Sequence, residues 1–342
     1  MDNIVLLSKR EIAKTQTNKK RHCFDIIFEW EDILSEGVGA RIKCRSRREF
    51  GFDELCRKIK KCTNITFYEL FRVVDFQRGK HIIMFDASTK HYDGIYYHKK
   101  YIPCLIDYFF SEEEYKDFLI AYSKNKLVLV SNLDVYEYLK EKKCPIPIEH
   151  FPLSIPDHYI SEVKYKKEYD LIIAGRVNPL LEKWVEKAEN EIPELVVIRR
   201  KYEDGKFIYY NSRNGEVVSE GNSREEYFSM LKRSKMAIYS TPGMDGTRKD
   251  ANGWNQVTPR ILEQMAAQCH ILARYPMNSD VKWYGLDSII DNINSYDEFK
   301  GKVKKYMEGE VDYIKYNKFL NTHKTSNRVE ILRNILNKYG YL

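Results

Sequence analysis

Apolar residues along the chain fall into two alternating rhythms. Short runs rich in Ile, Val, Leu and Phe occur at 3–7, 24–28, 71–74, 81–86, 102–106, 127–131 and 148–152. Bounded by polar and turn-forming residues, runs of this length predict buried strands. Between them, 112–123 and 133–142 carry apolar side chains three and four positions apart, the spacing of an amphipathic helix. The stretch KNKLVLVSNLDVYEYLKEKKCPIPIEHFPLSIPD reads as strand, helix capped by Asn132, and short strand, ending among Pro145, Pro147, Pro152 and Pro156. So many prolines in one exit mark a domain boundary.

Beyond that boundary the rhythm restarts. A strand at 170–174 ends in Gly175-Arg176, a helix follows at 180–191, and another strand lies at 195–199. Residues 207–221 predict a hairpin turning at Asn214-Gly215, and Ser223 caps a helix at 224–234. A strand at 235–240 leads through a long polar loop to a helix at 259–268 and a strand at 270–274. A further strand near 288–290 and helices at 297–307 and 327–339 complete the pattern. Alternation of this kind predicts α/β architecture: two Rossmann-like, doubly wound domains facing a cleft. Their expected spans are 1–157 and 158–325, with 326–342 a helix packing back on the first domain.

Composition narrows the classes. The 342 residues are 43% hydrophobic and 31% charged, a globular balance that excludes a disordered chain. No apolar run approaches the roughly 18 residues of a membrane span, and the N-terminus is too weakly apolar for a signal peptide, so a cytoplasmic protein is expected. Seven scattered cysteines without a Cys-x-x-Cys pair suggest neither a disulfide framework nor a zinc site. The net charge of +7 is concentrated in 41–62, with nine Lys/Arg against three acids. Such a patch favours anionic partners, and Phe50, Phe52 and Leu55 within it suit docking at the inner face of a membrane.

Candidate chemistry gathers in the second half. Gly243, Gly246 and Gly253 allow close backbone approach in the loop after 235–240, and Arg248 and Lys249 bring positive charge. Thr258 and Pro259 suit a helix N-cap and first turn. Arg260 then projects where a guanidinium can fork onto phosphate oxygens. Glu263, one turn on, is a carboxylate among Ile261, Leu262, Met265 and Ala266, and needs a partner. A ribose beside the phosphates and a local Arg or Lys both satisfy that need.

LEQMAAQCHILA, with Glu263 as its acid, resembles the segment around the second glutamate in the glutamate, seven residues, glutamate motif of the GT-B nucleotide-sugar glycosyltransferases related to family 4. The resemblance extends over most of 115–307: SNLDVYEYLKEK and EHFPLSIPD are similar to the elements closing the first domain, and DLIIAGR to the first strand of the nucleotide domain. It implies a nucleotide-diphosphate-sugar donor, ribose on Glu263, and diphosphate near Arg176, Arg248, Lys249 and Arg260. The chain departs from the motif eight residues before Glu263, where Asn255 stands in place of glutamate; Asn255 or Gln256 is expected to meet the sugar instead.

No Asp-x-Asp occurs, so no metal and no cofactor are expected, with basic groups and a helix N-terminus taking the charge of the leaving diphosphate. The first domain is expected to hold the acceptor, a glycan or lipid-linked molecule, with Asp86 and His91 as candidate catalytic groups. The resulting expectation is a glycosyltransferase of surface polysaccharide assembly. An epimerase or hydrolase of nucleotide sugars on the same fold is the alternative, followed by a non-catalytic sugar- or nucleic-acid-binding protein. A nucleic-acid partner is not expected, because no recognised binding motif accompanies the basic segment.

Overall fold

The computed structural model describes residues 3–10, 22–44, 81–86, 100–109 and 111–342, with Leu55, Lys58, Ile59, Cys62 and Thr63. His91, Phe50, Phe52 and the strand expected at 71–74 lie outside the described residues. The chain divides into two compact units. One holds Phe24–Pro152 with the first strand and Thr325–Leu342, and the other holds Leu153–Lys324.

In the first unit, β1 (Ile4–Ser8), β2 (Arg41–Cys44), β3 (His81–Asp86), β4 (Tyr101–Leu105), β5 (Val128–Val130) and β6 (Ile148–His150) form a parallel sheet in the order β2-β1-β3-β4-β5-β6. The run at 24–28 is not a strand but part of helix α1 (His22–Val38). Its apolar residues continue at Trp30, Leu34 and Val38, and these, with Ile27, are buried at helical spacing. Helix α2 (Glu112–Tyr122) begins with a capping box of Ser111 and Glu114, and α3 (Leu133–Glu141) is capped by Asn132. The last helix of the chain, Thr325–Lys338, also lies in this unit: Lys338 Nζ meets Glu149 at 2.5 Å, and Arg328 Nε donates to the Pro152 carbonyl at 3.2 Å. Among the described residues, no helix is long and apolar enough to cross a membrane.

The second unit carries β7 (Tyr169–Ile173), α4 (Pro179–Glu191), β8 (Val197–Glu203), β9 (Lys206–Asn211), β10 (Val217–Glu220), α5 (Arg224–Lys232), β11 (Ser234–Ser240), α6 (Pro259–Ala266) and β12 (His270–Arg274). Its sheet runs β10-β9-β8-β7-β11-β12, parallel except for β9, which is antiparallel to both neighbours. Sequence patterning marks the turn at Asn214-Gly215 but passes over Asp204-Gly205, where φ of 48° and 81° makes a second hairpin turn between β8 and β9. Residues 286–288 form a short 3₁₀ turn where a strand was expected near 288–290, because two apolar residues are too few to hold a ladder. Alternation along β7 sends Leu171 and Ile173 into one core layer and Ile172 into the other, where Ile261 and Met265 of α6 pack.

Both units are thus Rossmann-like α/β folds, each with helices around a parallel-dominated sheet. In the second, strand order reverses between β7 and β11, so the ends of these strands flank the switch point at which such sheets take ligands.

Candidate functional site

Two chain segments leave the switch point of the second unit side by side. After β7 come Gly175 and Arg176; after β11 comes the loop 241–258, ending at α6. Asn178 fastens them together. Its side-chain oxygen caps α4, while Nδ2 donates toward the Met244 carbonyl (3.1 Å), Asp245 Oδ2 (2.9 Å) and Thr247 Oγ1 (3.0 Å). Asp245 is gripped from the other side by Arg274, with Nε on Oδ2 at 2.5 Å and Nη2 on Oδ1 at 3.1 Å. The Arg274 guanidinium, and then the Asn178 amide, hold the Asp245 carboxyl below the usual carboxylate range.

The far end of the loop is fixed as firmly. Fully buried Asp280 accepts the Val257 N–H at 2.6 Å, and the Tyr239 hydroxyl accepts the Thr258 N–H at 3.1 Å. Burial pushes the Tyr239 phenol up to about 12, so it remains a neutral hydroxyl. A Cβ on Gly243 would come within 2.4 Å of the Trp254 carbonyl, which is why this position has no side chain.

Thr258 occupies the expected N-cap of α6, although its side chain makes no capping hydrogen bond. Pro259 contributes no N–H. The donors that this helix entry presents are therefore the Arg260 N–H and guanidinium. Arg260 lies across Gly175: its Nη1 donates to the Arg176 carbonyl at 2.9 Å, and its Cζ sits 2.9 Å from where a Gly175 Cβ would be. The glycine makes room for the guanidinium, and Arg260 ties the β7 exit to the α6 entry.

Arg176 is exposed beside this contact, and its charge also acts on Asp250. Asp250 is held by Arg248 through both oxygens, at 2.7 and 3.0 Å, and Lys249 is exposed between them. Of the expected donor-site residues, the structure thus brings Arg260 to Gly175 and Arg176, and Arg248 to Asp250.

Glu263 points inward from α6. It is 6% exposed, with Oε1 accepting from Arg224 Nη1 at 2.7 Å and Oε2 from the Tyr227 hydroxyl at 3.1 Å. Of the two partners that the sequence leaves open, the structure supplies the arginine. Arg224 extends the buried cluster, donating from Nε to the Tyr159 hydroxyl at 2.9 Å with its guanidinium 5.0 Å from the Phe228 ring centre. Burial, and then the Glu263 charge, raise the Tyr227 phenol well above its ordinary value.

Asn255 remains at the surface side of the loop, its Oδ1 accepting from Thr241 at 2.6 Å and its Nδ2 donating to the Gly253 carbonyl at 3.0 Å. Gln256, the other residue expected to meet the sugar, is corrected: it is fully buried, because the chain turns inward here to bring Val257 into the core.

In the first unit, Asp86 closes β3 and is 2% exposed, with Lys9 Nζ 3.8 Å from its Oδ1. Near the end of β1 lies a group that sequence reading passed over. Glu31, on the apolar face of α1, is buried beside Arg10 at 3.2 Å, and burial pushes its carboxyl up to about 7, against the opposing effects of Ser8 and Arg10. Its signal was present: position 31 falls one turn after Ile27 and one before Leu34 and Ser35. Since the folded value exceeds the ordinary 4.5, the associated stability is full below about 4.5 and is lost as pH rises through about 7. The expected loss is on the order of 3 kcal/mol. Thermal melts from pH 4.5 to 8 should show a flatter profile for Glu31→Gln than for the unmodified protein; parallel profiles would contradict the assignment.

No family model matches the chain, and no curated protein sequence does either. Among solved structures, it is similar to the pneumococcal O-GlcNAc transferase GtfA in complex with UDP and GlcNAc, at 12% identity and a TM-score of 0.53 over 80% of this chain and 60% of that one. It is also similar to a DNA-modifying β-glucosyltransferase (14% identity, TM-score 0.50, 99% and 100% covered) and to a UDP-N-acetylglucosamine 2-epimerase (10%, 0.50, 100% and 98%). The chain spans about three fifths of the length of the first of these. Its two α/β units have the fold of the GT-B glycosyltransferases, a fold that it shares with the epimerase.

Proposed function

We propose that the protein is a glycosyltransferase that moves a sugar from a nucleotide-diphosphate donor held at the switch point of the second unit. The observation that carries this reading is Arg260, lying over Gly175 and bonded to the Arg176 carbonyl, so that a guanidinium and a helix entry meet at the strand ends. In transfer, an acceptor hydroxyl oxygen bonds to the anomeric carbon as the bond from that carbon to the diphosphate breaks. The hydroxyl proton passes to a base, for which Asp86 and His91 are the candidates, and charge builds on the departing diphosphate. Arg260, Arg176, Arg248 and Lys249 supply the compensating charge in a mechanism without metal or cofactor.

Glu263 acts in this reading by fixing Arg224 and Tyr227 behind α6, its two oxygens taken by these partners. Asn255 and Gly243 line the loop on the sugar side. The acceptor is a glycan or lipid-linked molecule, and the setting is surface polysaccharide assembly at the inner face of the membrane. The resemblance of LEQMAAQCHILA supports the setting, and the charge of 41–62, with Leu55 exposed, supports the membrane contact.

A thermal-shift screen against UDP, GDP, ADP and CDP and their sugars tests the reading, since a ligand of the folded state raises Tm. One nucleotide series should stand out; no response to any would overturn the donor site. The epimerase similarity favours a second reading on the same fold. Epimer or free sugar formed without acceptor would select it. Transfer to double-stranded DNA, the control suggested by the DNA-modifying neighbour, would displace the glycan acceptor.

A further inference from the structure

We infer that Asp250 is a built-in counter-anion of the phosphate site, occupying the Arg248 fork until a diphosphate displaces it. This inference rests on the donor-site reading above and adds a residue that opposes binding. Arg248 and Asp250 are two positions apart, and the turn Lys249–Ala251 folds the carboxylate back onto the guanidinium. Nε meets Oδ1 at 2.7 Å and Nη2 meets Oδ2 at 3.0 Å. Two parallel N–H donors on two oxygens is also the geometry by which arginine takes a phosphate.

The burial of the two partners differs in the sense that exchange needs. The Arg248 side chain is 14% exposed, whereas that of Asp250 is 48% exposed and can swing into water. Arg248, and more weakly Arg176, hold the Asp250 carboxyl below the usual range, so the carboxylate stays charged at neutral pH. One fork cannot hold carboxylate and phosphate together, because like charges about 4 Å apart repel by about 1 kcal/mol in water and more at a protein surface. The donor therefore binds by ion exchange. After transfer, Asp250 recaptures Arg248 and hastens departure of the nucleoside diphosphate.

The test is calorimetric titration of UDP, GDP, ADP and CDP in turn into the unmodified protein, Asp250→Asn and Arg248→Ala, each checked for an unchanged Tm. For the nucleotide that binds, Asp250→Asn is expected to tighten affinity about three- to tenfold, mainly through slower dissociation. Arg248→Ala should weaken affinity, and adding Asp250→Asn to Arg248→Ala should bring no gain. If the nucleotide binds the unmodified protein but Asp250→Asn binds it equally or less tightly, the counter-anion role is wrong while the donor site stands. If no nucleotide binds any form, the donor-site reading falls and this inference with it.

Discussion

Glu263→Ala is expected to destabilise the second unit by about 3–5 kcal/mol, because it leaves the Arg224 guanidinium charged, buried and without its carboxylate. For a unit of this size the loss corresponds to a fall in Tm of roughly 10 °C. Thermal melts check it, and a second variant separates the cause from simple loss of packing. Arg224→Met combined with Glu263→Leu removes both charges together and should recover most of the loss, since a buried ion pair gains little over apolar residues of similar volume. Equal destabilisation by the single and double changes would show that the ion pair is not what makes Glu263 matter. The pair is enclosed, with 6% and 8% of the two side chains exposed, so added salt should screen it little.

The second large effect is expected at Arg260, in binding and not in stability. Arg260→Ala should weaken nucleoside-diphosphate affinity about 10- to 100-fold, the value of charge-assisted hydrogen bonds to a phosphate group. It should leave Tm within about 2 °C, as the hydrogen bond of Arg260 to the Arg176 carbonyl lies at the surface. Arg260→Lys keeps the charge but loses the fork, so its affinity should fall between the two. Titration calorimetry with parallel melts decides. Unchanged affinity in Arg260→Ala would remove this residue from the donor site.

Much of the fold was legible because local chemistry states it directly. The apolar runs at 81–86, 127–131 and 170–174, and caps such as Asn132 and Ser223, act over a few residues and appear where expected. FDIIF was ambiguous because four apolar residues around Asp25 suit a strand or a buried helix turn; Trp30, Leu34 and Val38 beyond them decide for the helix. The Asp204-Gly205 turn was legible in principle, but charged Arg199, Arg200 and Lys201 hid the continuing strand.

At the site, the sequence displayed the need of Glu263 for a partner without displaying the partner. Arg224 is 39 residues away, and only packing of α5 against α6 brings it to the carboxylate. The place of Arg260 in the first turn of α6 was legible, whereas its seat over Gly175 depends on β7 and β11 lying side by side. Gln256 looked available because it lies in a polar loop; the turn into the core at Val257 buries it. Asp250 reads in sequence as an ordinary acid, and its hold on Arg248 emerges from the geometry of one short turn.

A nucleoside diphosphate is expected to bind where the β7 exit meets the α6 entry. A crystal structure of the protein with the nucleoside diphosphate that gives the largest thermal shift tests it most directly. Phosphate oxygens are expected within hydrogen-bonding distance of the Arg260 guanidinium, beside Gly175 and Arg176, with the Arg248 fork turned from Asp250 to phosphate. A nucleotide bound elsewhere, with Arg260 still making only its contact to the Arg176 carbonyl, would contradict it.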